Sequence, residues 1–324
     1  MLGSAHFAVK LVQVIDNNSI DREVHLYKPT HVIIEALWCQ PDKFTILQKL
    51  HPTVKWIVRG HSDIPFLSQE GVALEWITGY MKYENVSFAC NSVRSYRDIR
   101  ALVMSQAPLL TPTALDRKIL FLPNYYPDHR HQLRRKQVDG YLDIACFGAI
   151  RPLKNQLIQA VAATEYARRS NRRLRFHVNA SRTEQRGDNV LKNLRALFAS
   201  TGNELVEHPW MPHREFLHIL SGMDCALQVS FTETFNIVAA DAISVGLPIV
   251  ASDQVSWLSP LSMAQPTDSN DIVDKLVLVN RPFCRGIING ANLRGLKQYC
   301  DNSRTAWLDY FNVGRSTVSS VQGS

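Results

Sequence analysis

With 324 residues, 45% of them apolar, the chain can bury one large core or two ordinary ones. No apolar run approaches the roughly 18 residues a membrane-spanning helix needs, and the start lacks the basic, apolar, small-residue order of a secretory signal, so a soluble protein is predicted. The formal net charge of +7 points to a polyanionic partner, either nucleic acid or an anionic membrane surface. Six scattered cysteines without a Cys-x-x-Cys pair predict buried thiols in a reducing cytosol rather than disulfides or a zinc site.

Residues 1–126 read as alternating strands and helices. VKLVQVI (9–15), HVIIEAL (31–37), VKWIV (54–58), VSFAC (86–90) and KILFL (118–122) are the predicted strands, although residues 4–12 suit a helix equally well. Such alternation predicts a parallel sheet covered by helices on both faces. The strand over 54–58 runs out into Arg59, Gly60, His61 and Ser62, at the sheet end where α/β proteins bind ligands. Asn91 and Asn124 follow later strands in the same way and are candidate ligand-side residues. Glu70, Glu75 and Trp76 read as helix surface.

Residues 127–141 carry Arg130, Arg134, Arg135 and Lys136 without periodic apolar residues and read as a linker. His129 and His131 stand two apart there, but no cysteine or carboxylate cluster accompanies them to make a metal site. A second domain, 142–290, opens with the strand LDIACFGAI (142–150) and the turn Arg151-Pro152-Leu153-Lys154-Asn155. The helix that follows has an apolar stripe including Leu157, Ile158, Val161 and Ala162. Two cations at a strand-to-helix turn suit a diphosphate, since arginine can bind two oxygens and lysine supplies a compact charge. Arg168, Arg169, Arg172, Arg173 and Arg175 read as a solvated helix end, with a phosphate track as the alternative. The strand LRFHVNA (174–180), a helix over 188–199, the strand-like ELVEHPWMP (204–212) and a short helix around 216–220 come next.

The chain is organised around Cys225 to Asp253, CALQVSFTETFNIVAADAISVGLPIVASD. A buried strand over 225–229, a polar turn, a helix ended by Gly246 and Pro248, and a strand over 248–251 are predicted. The amides of Phe235, Asn236 and Ile237 fall at the helix start, where unpaired N–H groups and the dipole favour phosphate. Glu233 stands just before the first turn, with Thr234 beside it, and Asp241 follows eight residues on, about two turns along the same face. Both acids can accept hydrogen bonds from sugar hydroxyls.

Glu233 and Asp241 resemble the Glu-x7-Glu signature of GT-B glycosyltransferases of the family 4 type. SFTETFNIVAADAISVGLPIVAS is similar to that family's Ser-x-x-Glu-Gly-Phe-Gly, helix, Gly-x-Pro-Val-Val-Ala-Ser run, with the glycines replaced by Thr234 and Asn236 and the second Glu shortened to Asp241. The resemblance implies a GT-B fold of two Rossmann-like domains facing a cleft, with Glu233 on the donor sugar and Asp241 on the nucleotide ribose. It implies further that His61 faces the donor sugar, that Trp210 and Met211 meet the base, with core packing as the competing reading for these two, and that Gly148 and Lys154 match the family's Gly-Arg-x-x-x-x-Lys turn. The arginine of that turn is Ala149 here, and Arg151 is the candidate replacement from two residues on. Asn91 and Asn124 become acceptor-side candidates. Against the family the start looks short, as if an opening strand and its turn were missing. Residues 291–324 are expected to bring a last helix back onto the first domain through Leu293, Leu296, Trp307, Leu308 and Tyr310, before a disordered tail.

The resemblance implies retention at the anomeric carbon, no cofactor, and a nucleoside diphosphate sugar, UDP-sugar foremost, as donor. No two aspartates stand two residues apart as in the metal site of the other large glycosyltransferase fold, so Lys154, Arg151 and the helix amides are expected to carry the leaving-group charge. The region RGHSDIPFLSQEG also looks like small glycosyltransferases encoded by bacteriophages, which makes a hydroxylated base in DNA the first acceptor hypothesis, ahead of a lipid or cell-surface polysaccharide. A GT-B sugar-nucleotide epimerase and a non-catalytic nucleic-acid-binding protein are the rival readings. A nicotinamide enzyme is disfavoured, because no Gly-x-Gly-x-x-Gly occurs.

Overall fold

The computed structural model describes residues 1–5, 7–106, 111–127, 140–200 and 202–319. The chain forms two compact units, one of Met1–Tyr125 with the stretch from Asp301 on, the other of Tyr126–Cys300. The basic segment read as a linker, with His129, His131, Arg130, Arg134, Arg135 and Lys136, lies outside the described residues. Among the described residues no helix is long and apolar enough to cross a membrane.

The first unit carries α1 (Ser19–Tyr27), β1 (His31–Glu35), α2 (Lys43–Leu50), β2 (Lys55–Gly60), α3 (Ile64–Leu67), α4 (Ala73–Tyr80), β3 (Val86–Cys90), α5 (Val93–Gln106), α6 (Pro112–Lys118) and β4 (Ile119–Phe121). Its four strands pair in parallel in the order β1-β2-β3-β4. The strands are short and β-branched or aromatic, and β2 is buried from Trp56 onward, as a strand covered on both faces must be. Residues 9–15, predicted as a strand, form none. Leu11 and Ile15 are almost fully exposed and only Val14 packs on the core, so the apolar run finds no strand to pair with. Gly60 ends β2 where an added Cβ would stand 2.5 Å from Phe88 Cζ, so only glycine admits that ring.

The second unit carries β5 (Tyr141–Ala145), α7 (Gln156–Arg169), β6 (Arg173–Asn179), α8 (Gly187–Ala199), β7 (Glu204–His208), α9 (His213–Leu220), β8 (Cys225–Gln228), α10 (Ile237–Ser244), β9 (Ile249–Ala251) and α11 (Ser269–Asn280). All five strands are parallel, in the order β7-β6-β5-β8-β9. Side chains alternate between two cores: Leu142, Ile144 and Cys146 face one with α7, α8 and α11, while Ala145 and Phe147 face the other with α9 and α10. The strand order reverses between β5 and β8, and open α/β sheets bind ligands beside the carboxyl ends of such a pair.

Two local readings change. The buried face of α7 is Gln156, Gln159, Ala160, Ala162, Ala163, Tyr166 and Ala167, with Leu157 and Ile158 partly buried against the same core, so of the predicted stripe Val161 alone is exposed. Small residues bring the helix close to the sheet, and its buried glutamines serve the loops around the sheet end. The five-arginine run is no phosphate track, because it is matched by acids and by a ring. Arg168 and Arg169 pair with Glu165, Arg172 with Asp224, Arg173 with Glu204 and Arg175 with Asp143. Arg173 and Arg175 also stack over Tyr141 at the start of β5, the end of the sheet opposite the switch point.

The final helix, α12 (Pro282–Ser319), begins in the second unit and ends in the first. Leu293 and Leu296 pack in the second unit. Trp307 joins Ile57, Ala89, Leu120 and Leu122 in the first, where its Nε1 donates to the Pro123 carbonyl at 2.8 Å. The helix covers part of the segment expected to be a disordered tail, and residues 320–324 lie outside the described ones.

Candidate functional site

The ends of β5 and β8 hold most of the predicted donor residues. Gly148 follows β5 with φ +119°, a conformation side chains rarely adopt, and its amide donates to Asn179 Oδ1 at 2.9 Å. After Arg151 a single 3-10 turn, Pro152–Lys154, is closed by Asn155 at φ 58°. Asn155 Nδ2 donates to the carbonyls of Val229 and Pro266 at 3.0 and 2.7 Å. Gln159 Nε2 donates to the Lys154 carbonyl and its Oε1 accepts from Val229 N, both at 2.8 Å. Asn155 and Gln159 thus clamp the lysine turn to the end of β8. The sequence reading missed both, although polar residues on the inward side of an otherwise Ala-rich helix were a legible sign.

Lys154 Nζ donates to Glu233 Oε1, and both side chains are largely buried. Asn236 Nδ2 donates to the same oxygen at 3.1 Å and to Gln228 Oε1 at 2.9 Å, and Gln228 Nε2 in turn reaches the Phe147 carbonyl at 2.9 Å. Asn236 has φ 63°, and its Oδ1 caps the amide of Ala239 at 2.9 Å. The helix therefore starts later than the sequence suggested. Ile237 and Val238 supply the first-turn amides, while the Phe235 ring is buried 5.1 Å from Tyr299 and 5.8 Å from Trp257. Thr234 is half-buried beside Glu233.

Other predicted residues stand apart from this cluster. Arg151 Nη1 meets Glu184 Oε2 at 3.0 Å, so its charge is matched locally. Trp210 is 72% exposed, which excludes core packing; its amide donates to Ser181 Oγ at 2.7 Å, and Met211 beside it is half-buried. Asp241 is buried rather than presented. Its Oδ1 accepts from Tyr126 Oη at 2.7 Å and from His213 Nε2 at 2.8 Å. Burial and then the Asp241 charge raise the Tyr126 hydroxyl well above its usual range, so it stays a donor.

In the first unit, His61 lies beyond the end of β2 with Nε2 2.6 Å from Glu35 Oε2. The buried Arg59 donates to Glu35 Oε2 at 2.9 Å, to the Leu122 carbonyl at 2.9 Å and to Asn124 Oδ1, with its guanidinium 5.5 Å from the Trp307 ring centroid. Burial opposes ionisation of Glu35, but the His61 hydrogen bond and the Arg59 charge outweigh it and hold the carboxyl below its ordinary value. Glu35 and Arg59 were not among the predicted site residues, and a carboxylate at the end of a strand was the available sign. Asn91, a ligand-side candidate, is fully buried just past the end of β3, the strand between β2 and β4.

The family described as "GT4-conflict: Family 4 Glycosyltransferase in conflict systems" matches residues 110–274, just over half of the chain. No curated protein matches the sequence. Among solved structures, the chain is similar to an alpha,alpha-trehalose-phosphate synthase (UDP-forming) from Burkholderia vietnamiensis, with TM-score 0.71, 12% identity, and 95% of this chain and 75% of that one covered. It is similar as well to the alpha,alpha-trehalose 6-phosphate synthase of Burkholderia multivorans, at TM-score 0.74 and 13% identity over 95% and 76% of the two chains. An E. coli trehalose-6-phosphate protein bound with UDP-2-fluoro glucose matches at TM-score 0.64 and 9% identity over 95% and 77%. Identities this low speak for the fold alone, while the family match extends from the end of the first unit through β5 to β9, the part that holds the Lys154–Glu233 pair. The chain belongs to the family 4 glycosyltransferases of conflict systems and is a glycosyltransferase with the GT-B fold.

Proposed function

We propose that the protein transfers a sugar from a nucleoside diphosphate sugar, UDP-sugar first, to a hydroxyl acceptor with retention at the anomeric carbon and without a metal ion. One observation carries this reading: Lys154 and Glu233 meet at the carboxyl ends of β5 and β8, where the strand order reverses. Lys154 would hold the diphosphate, with the first-turn amides of α10 aimed at the same charge. Both donors to Glu233 fall on Oε1, which leaves Oε2 to accept from a donor-sugar hydroxyl. As the bond from the anomeric carbon to the phosphate oxygen lengthens, negative charge grows on the diphosphate and Lys154 turns from Glu233 toward it. The acceptor oxygen bonds the anomeric carbon on the face the phosphate leaves, and the departing phosphate takes the acceptor's proton, so no enzyme nucleophile is needed.

For the first unit, His61 and Glu35 are proposed to meet substrate hydroxyls, with Arg59 holding the carboxylate and Asn124 in place. The UDP preference is supported by the structural relatives described as UDP-forming and as bound with UDP-2-fluoro glucose. The net charge of +7 supports an acceptor carried on a polyanion, a hydroxylated base in DNA. The test is a donor-release screen with several sugar nucleotides against modified DNA, lipid and glycan acceptors, with and without a chelator. Release that depends on acceptor and yields an anomeric configuration retained by NMR supports the reading. Release without acceptor favours an epimerase, and salt-sensitive DNA binding indifferent to sugar nucleotides removes the enzymatic reading.

A further inference from the structure

Asp241 is the residue expected to grip the ribose, yet its place in the fold does not let a hydroxyl reach it. It lies on the second turn of α10 with a side chain only 3% exposed, and its Oδ1 accepts from both Tyr126 and His213. The Tyr126 hydroxyl also lies 3.2 Å from Ser244 Oγ, which donates back to the Asp241 carbonyl at 2.8 Å, so the aspartate is fixed from within the core. What faces outward is His213. Its side chain is 55% exposed, it is the first residue of α9, and it comes directly after the segment that carries the exposed Trp210.

The chemistry of the pair fixes the direction of its hydrogen bond. A carboxylate oxygen that already takes the tyrosine proton can only accept from the imidazole as well, so His213 donates through Nε2. Nδ1, on the other edge of the ring, accepts in the neutral ring and donates in the imidazolium, and a ribose 2′- or 3′-hydroxyl, which can do either, pairs with both. A carboxylate behind a histidine is a general means of setting ring orientation. The shorter Asp241 leaves room for a ring between acid and sugar.

We propose that His213 contacts the ribose of the donor nucleotide and that Asp241, anchored by Tyr126, is its positioning residue. The inference rests on the donor-site reading above and adds the group that recognises the sugar of the nucleotide. The test is calorimetric titration of the full chain with UDP, ADP, GDP and CDP, comparing each that binds with its 2′,3′-dideoxy counterpart. Wild type is expected to prefer the ribonucleotide about five- to tenfold, the worth of a single hydrogen bond. His213→Ala is expected to bind both forms equally, at the level wild type shows for the dideoxy form. Asp241→Asn is expected to lower the ratio in wild type and to leave it unchanged in the His213→Ala background.

A His213→Ala protein that still prefers the ribonucleotide, or that loses both forms by the same factor, overturns the inference alone, as does a wild type that binds without discriminating. A wild type that binds none of the four nucleotides overturns the donor-site reading and this inference together. His213 is exposed, so its replacement leaves the fold intact and the ratio measurable; near-ultraviolet circular dichroism checks this.

Discussion

Lys154 and Glu233 pose the sharpest question for single residues, because each is buried and each answers the other's charge. Removing one partner leaves an uncompensated charge, which costs about 3–5 kcal/mol in buried pairs, whereas removing both with shape-preserving residues is often neutral. Lys154→Met and Glu233→Gln are therefore each expected to lose sugar transfer and to unfold at lower denaturant. The double variant is expected to recover stability but not turnover. Equal stability of all four proteins in chemical denaturation would show that the pair is not mutually supporting. Asn236 explains a departure from the family pattern. The family's glycine suits a left-handed residue, and asparagine is among the few others that tolerate φ 63° while also capping α10 and bridging Gln228 to Glu233. Asn236→Ala, which keeps none of these bonds and strains the backbone, is expected to destabilise by about 2 kcal/mol, read as a fall in melting temperature.

At the scale of elements, β5, β6 and β7 share a polar stripe on one face. Arg175 and His177 both bond Asp143, and His177 Nδ1 lies 2.9 Å from His208 Nε2, so one ring donates and the other accepts. Burial first, and then the neighbouring His177, hold the His208 pKa below its usual value. The unfolded chain consequently binds more protons as pH falls through the ordinary imidazole range, and the folded state loses stability in that direction. The melting temperature is expected to drop between about pH 7.5 and pH 5.5, with a shallower slope in His208→Gln.

Much of this level was legible in the sequence: VKWIV, VSFAC, CALQV and PIVA announce buried strands as short, mostly apolar runs bounded by polar or turn residues. Residues 9–15 carry the same character without a pairing neighbour, and no local pattern reveals whether a partner strand exists. Of the stripe predicted on α7, Leu157, Ile158 and Ala162 pack inward, whereas Val161 is exposed and the buried Gln156 and Gln159, which no apolar pattern reveals, were missed. Of the site, Gly148, Lys154 and Glu233 were visible as motif residues. Tyr126 and His213, both far from Asp241 in sequence, became visible only through the hydrogen bonds that join them to it.

For the whole molecule, α12 matters most, because the first unit is not continuous in sequence. Trp307 fills a small cluster with Ile57, Ala89, Leu120 and Leu122 and covers the buried Arg59. Trp307→Ala is expected to cost about 3–5 kcal/mol, and hydrogen exchange is expected to show the loss concentrated in β2, β3 and β4. Uniform loss of protection across both sheets would contradict that assignment. The interruption also sets an order of events during synthesis. A ribosome delivers everything the second unit needs by Cys300, while the four-stranded sheet, begun first, waits for Trp307 to leave the exit tunnel before its hydrophobic surface can be sealed. Of the two units, the one begun earlier is thus the one completed later, and until then its exposed surface is a target for chaperones and proteases.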